Sequence, residues 1–120
     1  MPGVLEKSLA LVGAGRAARD WIEVLPEFPE ISLVAVVDPD PERLQGVAVP
    51  GFASVAAMLE AGCVPRVAIL CTPPSLHLEL AEPLLRAGVD VLVEPPLATT
   101  PADADRIAEL AERGDRCAVT

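Results

Sequence analysis

Gly13, Gly15 and Ala18 close an apolar run in the segment GAGRAA (13–18), with the spacing G-x-G-x-x-A. Such a turn can hold a diphosphate. The first glycine permits a tight turn, the second lets the backbone approach the pyrophosphate, and the small third residue keeps the following helix close to its strand. The anion then sits on free backbone N–H groups at the positive end of that helix, among Arg16, Ala17 and Ala18. Alone the pattern is weak, because a glycine turn between any strand and helix imitates it. Twenty residues past Ala18, however, a second apolar run ends in Asp38. A carboxylate there can accept both hydroxyls of an adenosine ribose. The competing reading makes Asp38 merely the start of the DPDP turn. No arginine adjoins it, since Pro39 follows and Arg43 is five residues on. A 2′-phosphate would meet repulsion, which favours NAD over NADP.

Two further turns carry polar groups. One is CTPPSLH (71–77), with Thr72, Pro73, Pro74 and His77; the other is VEPPLATT (93–100), with Glu94 and Pro95. His77, Glu94 and Cys71 are the side chains there that could move a proton. Each also has a plainer reading. His77 opens a helix, where the dipole disfavours its charged form. Glu94 suits a brace for the cofactor or its own turn. Cys71 reads as core, because no nearby cation would lower its pKa.

These turns need a frame that presents them side by side. Apolar runs occur at 8–13, 31–38, 66–72, 89–94 and 116–120, with a weaker one at 46–52. Rich in Val, Ile and Leu without polar alternation, they predict strands covered on both faces. Helical patterns lie between them. Ala18, Trp21, Ile22 and Leu25 recur at i, i+3, i+4 and i+7, as do Ala104, Ile107, Ala108 and Ala111. Ser54 and Gly62 bracket another helix, and Ser75 and Gly88 one more, which Pro83 should kink by removing a donor. Thr100-Pro101-x-Asp103 supplies a cap, a first-turn proline and an acid, with Gly114 as the stop. The alternation predicts one α/β domain over 1–120: a Rossmann-type doubly wound parallel sheet of about six strands in three layers, α/β/α. Ligands of such a sheet bind outside the carboxyl ends of its strands. Residues 13–18, 38, 72–77 and 94–98 all fall there.

Composition narrows the partners. The 120 residues suit one domain, and with Trp21, Phe28 and Phe52 as the whole aromatic content the core must be aliphatic. A net charge of −9 argues against nucleic acid or an anionic membrane surface. Cys63, Cys71 and Cys117 cannot all pair, and free thiols fit a cytoplasmic protein. No run approaches the roughly 20 apolar residues of a membrane span. LALVGAGRAA is too glycine-broken for a signal peptide, and no metal site is expected.

In order and spacing, the glycine loop, CTPPSLH and AGVDVLVEPPLATT (87–100) resemble the nucleotide-binding domain of the Gfo/Idh/MocA oxidoreductases, over essentially the whole chain. The signatures of that domain are the glycine loop, T-P-x-x-x-H after the fourth strand and E-K-P-L-A after the fifth. Thr72, Pro73 and His77 match the second; Glu94, Pro96, Leu97 and Ala98 match the third. The resemblance implies an NAD cofactor held by Gly13, Gly15, Arg16, Ala17, Ala18, Asp38, Thr72, Pro73, Pro74, His77, Glu94 and Pro95. It also implies a second α/β domain bearing the substrate site. The lysine of the family motif, which contacts nicotinamide and substrate and assists proton transfer, is Pro95 here. The one lysine, Lys7, precedes the first strand and so lies at the wrong end of the sheet; there is no tyrosine.

The family continues past its sixth strand into the substrate domain, whereas this sequence stops at Thr120. A stand-alone nucleotide domain is therefore expected, although a cut from a longer enzyme would look the same. Two functions follow. One is a binding module without chemistry of its own that senses NAD(H) or serves a partner. The other is the nucleotide half of an NAD-dependent oxidoreductase for a sugar, polyol or aldehyde, with the rest of the site supplied from elsewhere. An uncovered edge at Cys117, Ala118 and Val119 predicts a homodimer or a docked protein partner near residues 95–120, rimmed by Arg113 and Arg116.

Overall fold

The computed structural model describes residues 7–114, 116, 118 and 119. Its strands are β1 (Ser8–Val12), β2 (Ser32–Val37), β3 (Gly51–Phe52), β4 (Val67–Leu70), β5 (Asp90–Val93) and β6 (Ala118–Val119). They form one parallel sheet in the order β3-β2-β1-β4-β5-β6. Strand order reverses at β1 and β4, so the crevice for a ligand opens between their carboxyl ends. The expected Rossmann-type doubly wound architecture is the observed one. The weak 46–52 run pairs with β2 only at 51–52; Val47 and Val49 instead pack beside the sheet. Cys117 lies outside the described residues.

Four helices connect the strands: α1 (Arg16–Val24), α2 (Val55–Glu60), α3 (His77–Arg86) and α4 (Pro101–Arg113). The Ser54 hydroxyl accepts from the Ala57 N–H at 3.0 Å and Thr100 from the Asp103 N–H at 3.1 Å, so both act as caps as expected. Ser75 does not. It sits inside a 3₁₀ turn, Pro74–Leu76, that feeds directly into α3. That helix runs on through Pro83 to Arg86.

Alternate residues of each strand point to opposite faces, and the two faces are covered unequally. On one side Ala10, Val12, Ala68, Leu70, Val91 and Val93 pack against Met58 of α2, Leu84 of α3 and Ile107 of α4. On the other side Leu9, Leu11, Val36 and Ile69 cluster with Ala18 of α1 and the nearby Leu25, and Leu44, Val47 and Val49 pack against them. Among the described residues, that second face is left open over β4 and β5 as an apolar groove of about 450 Å³ running past Trp21, Val67, Ile69 and Leu92. Among the described residues, no helix is long and apolar enough to cross a membrane.

Candidate functional site

The glycine loop separates the duties of its two glycines. Gly13 has φ +97°, and a Cβ there would lie 2.7 Å from the Cys71 carbonyl oxygen and 2.9 Å from Thr72 Cγ2. Its N–H donates to the Val37 carbonyl at 2.6 Å, which ties the turn to the end of β2. Only glycine fits that thread between strand ends. Gly15 is extended, and a Cβ on it would meet nothing nearer than Arg43 Nη1 at 3.5 Å. The fold does not require a glycine there. The first-turn N–H groups of α1 have no intrahelical acceptor, and its N-cap, Gly15, offers no side chain to accept from them. Ala18 is wholly buried, which holds the helix down on the sheet.

Asp38 follows the last residue of β2 and is 6% exposed. Its Oδ2 accepts from the Ala14 N–H at 2.9 Å and its Oδ1 from the Asp40 N–H at 2.8 Å. Asp38 thus starts the DPDP turn and also faces the glycine loop. Each oxygen keeps a lone pair for a further donor. The separation of Arg43 from Asp38 in the chain is not a separation in space. Asp40 accepts from the Glu42 N–H at 3.0 Å and opens a 3₁₀ turn, Pro41–Leu44, that folds the chain back. Arg43 Nη1 then lies 4.0 Å from Asp38 Oδ2, and its Nε lies 3.9 Å from Asp40 Oδ2. The expectation of an arginine-free ribose site is corrected accordingly. Two consecutive Asp-Pro steps were the available signal, since each aspartate accepts from the N–H two residues on.

The two remaining turns are joined by His77. The ring is 1% exposed, with Nδ1 2.9 Å from the Leu97 carbonyl oxygen and Nε2 3.0 Å from that of Thr72. A neutral imidazole donates to one of these carbonyls, the doubly protonated ring to both. Either way the ring spans the turns after β4 and β5. Glu94, Pro95 and Pro96 are exposed, the Pro95–Pro96 bond is cis, and Leu97 and Ala98 pack on the core. Glu94 lines an open cleft of about 620 Å³ with Arg16, Ala17, Asp20, Trp21 and Val24. Thr72 Oγ1 is buried without a hydrogen-bond partner, an orphan at the mouth of the crevice. Lys7 lies at the amino end, where its carbonyl accepts from the Ser32 N–H at 3.0 Å.

A dinucleotide fits these residues. The uncapped α1 offers donors to a diphosphate, Gly15 leaves it room, Asp38 retains acceptors for ribose hydroxyls, and the Thr72 hydroxyl lacks a partner. Among the described residues, no group of three His, Cys, Asp or Glu side chains could hold a metal ion.

Cys71 is held as a thiol rather than a thiolate. Burial first, and the Glu94 carboxylate second, push its thiol from an ordinary 9.0 up to about 12. Burial also raises Cys63. A proton held more tightly in the folded chain adds stability that is intact below pH 9 and is lost as pH rises toward 12. Alkylation at pH 8 is expected to label Cys63 well before Cys71, and melting temperature to fall above pH 9. Mass spectrometry of iodoacetamide adducts checks the first, and circular dichroism melts check the second. Equal labelling would show that Cys71 is not shielded.

Residues 7–120 match the model of an oxidoreductase family with an NAD-binding Rossmann fold. The chain is 36% identical to inositol 2-dehydrogenase of Leifsonia xyli, over 87% of its own length and 32% of the relative's. It is 31% identical to the rhizopine catabolism protein MocA of Rhizobium meliloti, over 88% and 34% of the two lengths. A solved WlbA dehydrogenase from Chromobacterium violaceum, in complex with NADH and UDP-GlcNAcA, superimposes with a TM-score of 0.87 at 29% identity, over 96% of this chain and 35% of that one. The chain thus spans about a third of the length of the curated relatives it matches. By that match over residues 7–120, the chain belongs to the Gfo/Idh/MocA oxidoreductase family, and its fold is that family's NAD-binding Rossmann domain.

Proposed function

We propose that the chain binds NAD(H) across the carboxyl ends of β1, β2, β4 and β5, and that residues 1–120 alone turn over no substrate. One observation carries the binding: an uncapped α1 beside a buried Asp38 whose carboxylate is oriented by the same loop. The first-turn N–H groups from Arg16 to Ala18 would take the diphosphate and Asp38 the adenosine ribose. Thr72, Pro73, Pro74 and the Glu94–Pro95 turn would wall the nicotinamide half, with His77 holding the two turns in register. The lack of turnover rests on Pro95 at the place of the motif lysine. It also rests on a His77 with both nitrogens engaged and on a Cys71 kept as a thiol. The test is titration with NADH by calorimetry or fluorescence, followed by assay of NAD reduction over sugars, polyols and aldehydes. Saturable binding without turnover is expected, and Pro95→Lys is not expected to create turnover. Substrate-dependent NAD reduction by the unmodified chain would end this reading.

A second reading is favoured by the relatives, which include inositol and galactose dehydrogenases roughly three times as long. Here residues 1–120 are the nucleotide half of an oxidoreductase for a sugar or polyol, and the remaining site comes from a partner chain or further sequence. Reconstitution of activity by a supplied second α/β domain would decide for it.

Association is proposed for the incompletely covered side of the molecule. Val119 at the β6 edge is 52% exposed, and the groove over β4 and β5 is apolar. Arg113 is exposed and suits a rim, whereas Arg116 is engaged by Asp90 at 3.9 Å and by the Gly88 carbonyl at 3.2 Å. Light scattering is expected to show a dimer that grows with concentration, and a strict monomer would leave that face without a partner of its own kind. The two free thiols among the described residues suit a reducing, cytoplasmic compartment.

A further inference from the structure

We propose that His77 is a proton-operated clasp: the doubly protonated ring holds the turns after β4 and β5 together, and loss of one proton releases one of them. Its effect on a dinucleotide rests on the reading of those turns as walls of the nicotinamide half; the clasp itself does not.

The surroundings of the ring carry the inference. Nδ1 lies 2.9 Å from the Leu97 carbonyl oxygen and Nε2 lies 3.0 Å from that of Thr72, so each nitrogen faces an atom that can only accept. A neutral imidazole has one N–H and one bare nitrogen. Whichever tautomer it takes, the bare nitrogen points its lone pair at a carbonyl oxygen at hydrogen-bond distance. Only the imidazolium makes both bonds. At 1% exposure the ring has little access to water that could donate in its place.

The second proton is not held without opposition. Burial disfavours the cation, and so does the dipole of α3, whose first residue is His77. Two charge-assisted hydrogen bonds act the other way. The bridge is therefore conditional: complete on the acid side of the ring's titration, and lost as pH rises through it. The segments around the ring hold three other titratable groups, Cys71 ahead of the first turn, Glu94 in the second and Glu79 in the first turn of α3. Both glutamates are exposed, and Cys71 keeps its proton up to about 12, so none of them takes over the bridge. The turn after β5 is the one to be freed, because Glu94, Pro95 and Pro96 are exposed.

NMR of the whole chain tests the proposal, and with one histidine present the ring signals assign themselves. Ring 15N shifts are followed against pH together with the carbonyl 13C shifts of Thr72 and Leu97. Glu94→Gln, which removes the turn's own carboxylate, is measured alongside. On the acid side both ring nitrogens are expected to carry protons. As the ring titrates, the Leu97 carbonyl should shift in step and protection of the Leu97 and Ala98 amides should fall about tenfold. NAD affinity by calorimetry should weaken about threefold or more across the same step. Glu94→Gln is expected to keep the carbonyl step, and His77→Gln, which cannot take up the proton, to lose it. A single fixed tautomer at every pH at which the chain is folded would overturn the proposal. So would a ring that titrates while neither carbonyl moves, or a carbonyl step that survives in His77→Gln or vanishes in Glu94→Gln. Constant NAD affinity across an opening clasp would overturn its link to the site. No NAD binding at any pH, with the carbonyl step intact, would sink the nicotinamide reading and leave the clasp standing.

Discussion

Gly13→Ala is expected to lower the stability of the chain by about 3 kcal/mol or more, and the melting temperature by about 10 °C or more. The added methyl must occupy a left-handed backbone position and lies 2.7 Å from a backbone carbonyl oxygen that belongs to the end of β4. That oxygen is backbone and cannot turn aside as the end of a flexible side chain would. The neighbouring glycine should behave oppositely. Gly15→Ala adds a methyl that meets only the mobile end of Arg43 at an ordinary contact distance, 3.5 Å, so the melt should move by no more than about 2 °C while NADH affinity falls about tenfold. Paired circular dichroism melts and NADH titrations on the two variants separate the roles. A Gly15→Ala chain that binds NADH as tightly as the native one would remove that residue from the diphosphate approach.

His77→Leu should cost about 2–4 kcal/mol, because at least one of the part-buried Leu97 and Thr72 carbonyls loses its donor while the volume of the side chain is roughly kept. The loss should be local as well as global. Amides between residues 94 and 98 are expected to exchange faster, since the Leu97 carbonyl is what the ring holds. Hydrogen exchange by mass spectrometry reads this directly. A residue kept only for proton transfer would leave both melting temperature and exchange untouched.

Much of the fold could be read from residue order. Val/Ile/Leu runs without alternation predict strands covered on both faces; β1, β2, β4 and β5 are where those runs fall, although β4 and β5 are fully covered on one face only. Ser54 and Thr100 announce their helices because capping is local, a hydroxyl accepting from an N–H three residues on. Pattern failed where local chemistry gave way to contacts distant in the chain. Ser75 resembles a cap, yet Pro74 on one side and His77 on the other favour a 3₁₀ entry to α3. The hydrophobicity of 46–50 suggests strand, but Val47 and Val49 serve the side cluster around α1. In the site, the glycine spacing and Asp38 were legible because their geometry is fixed by short-range rules. Arg43 and the double engagement of His77 were not. Each depends on how a turn returns toward another strand end, and spacing along the chain carries no record of that.

The anchoring of Asp38 has a thermodynamic consequence. Two backbone N–H groups, those of Ala14 and Asp40, grip opposite oxygens of one carboxylate. Its rotational freedom is therefore surrendered once, during folding, and the ribose proposed to bind there would find the acceptors already aimed. Little side-chain entropy remains to be lost at that moment, so the contact keeps most of its enthalpy as affinity. An aspartate free to rotate on the surface would present the same charge and hold a nucleoside far less well.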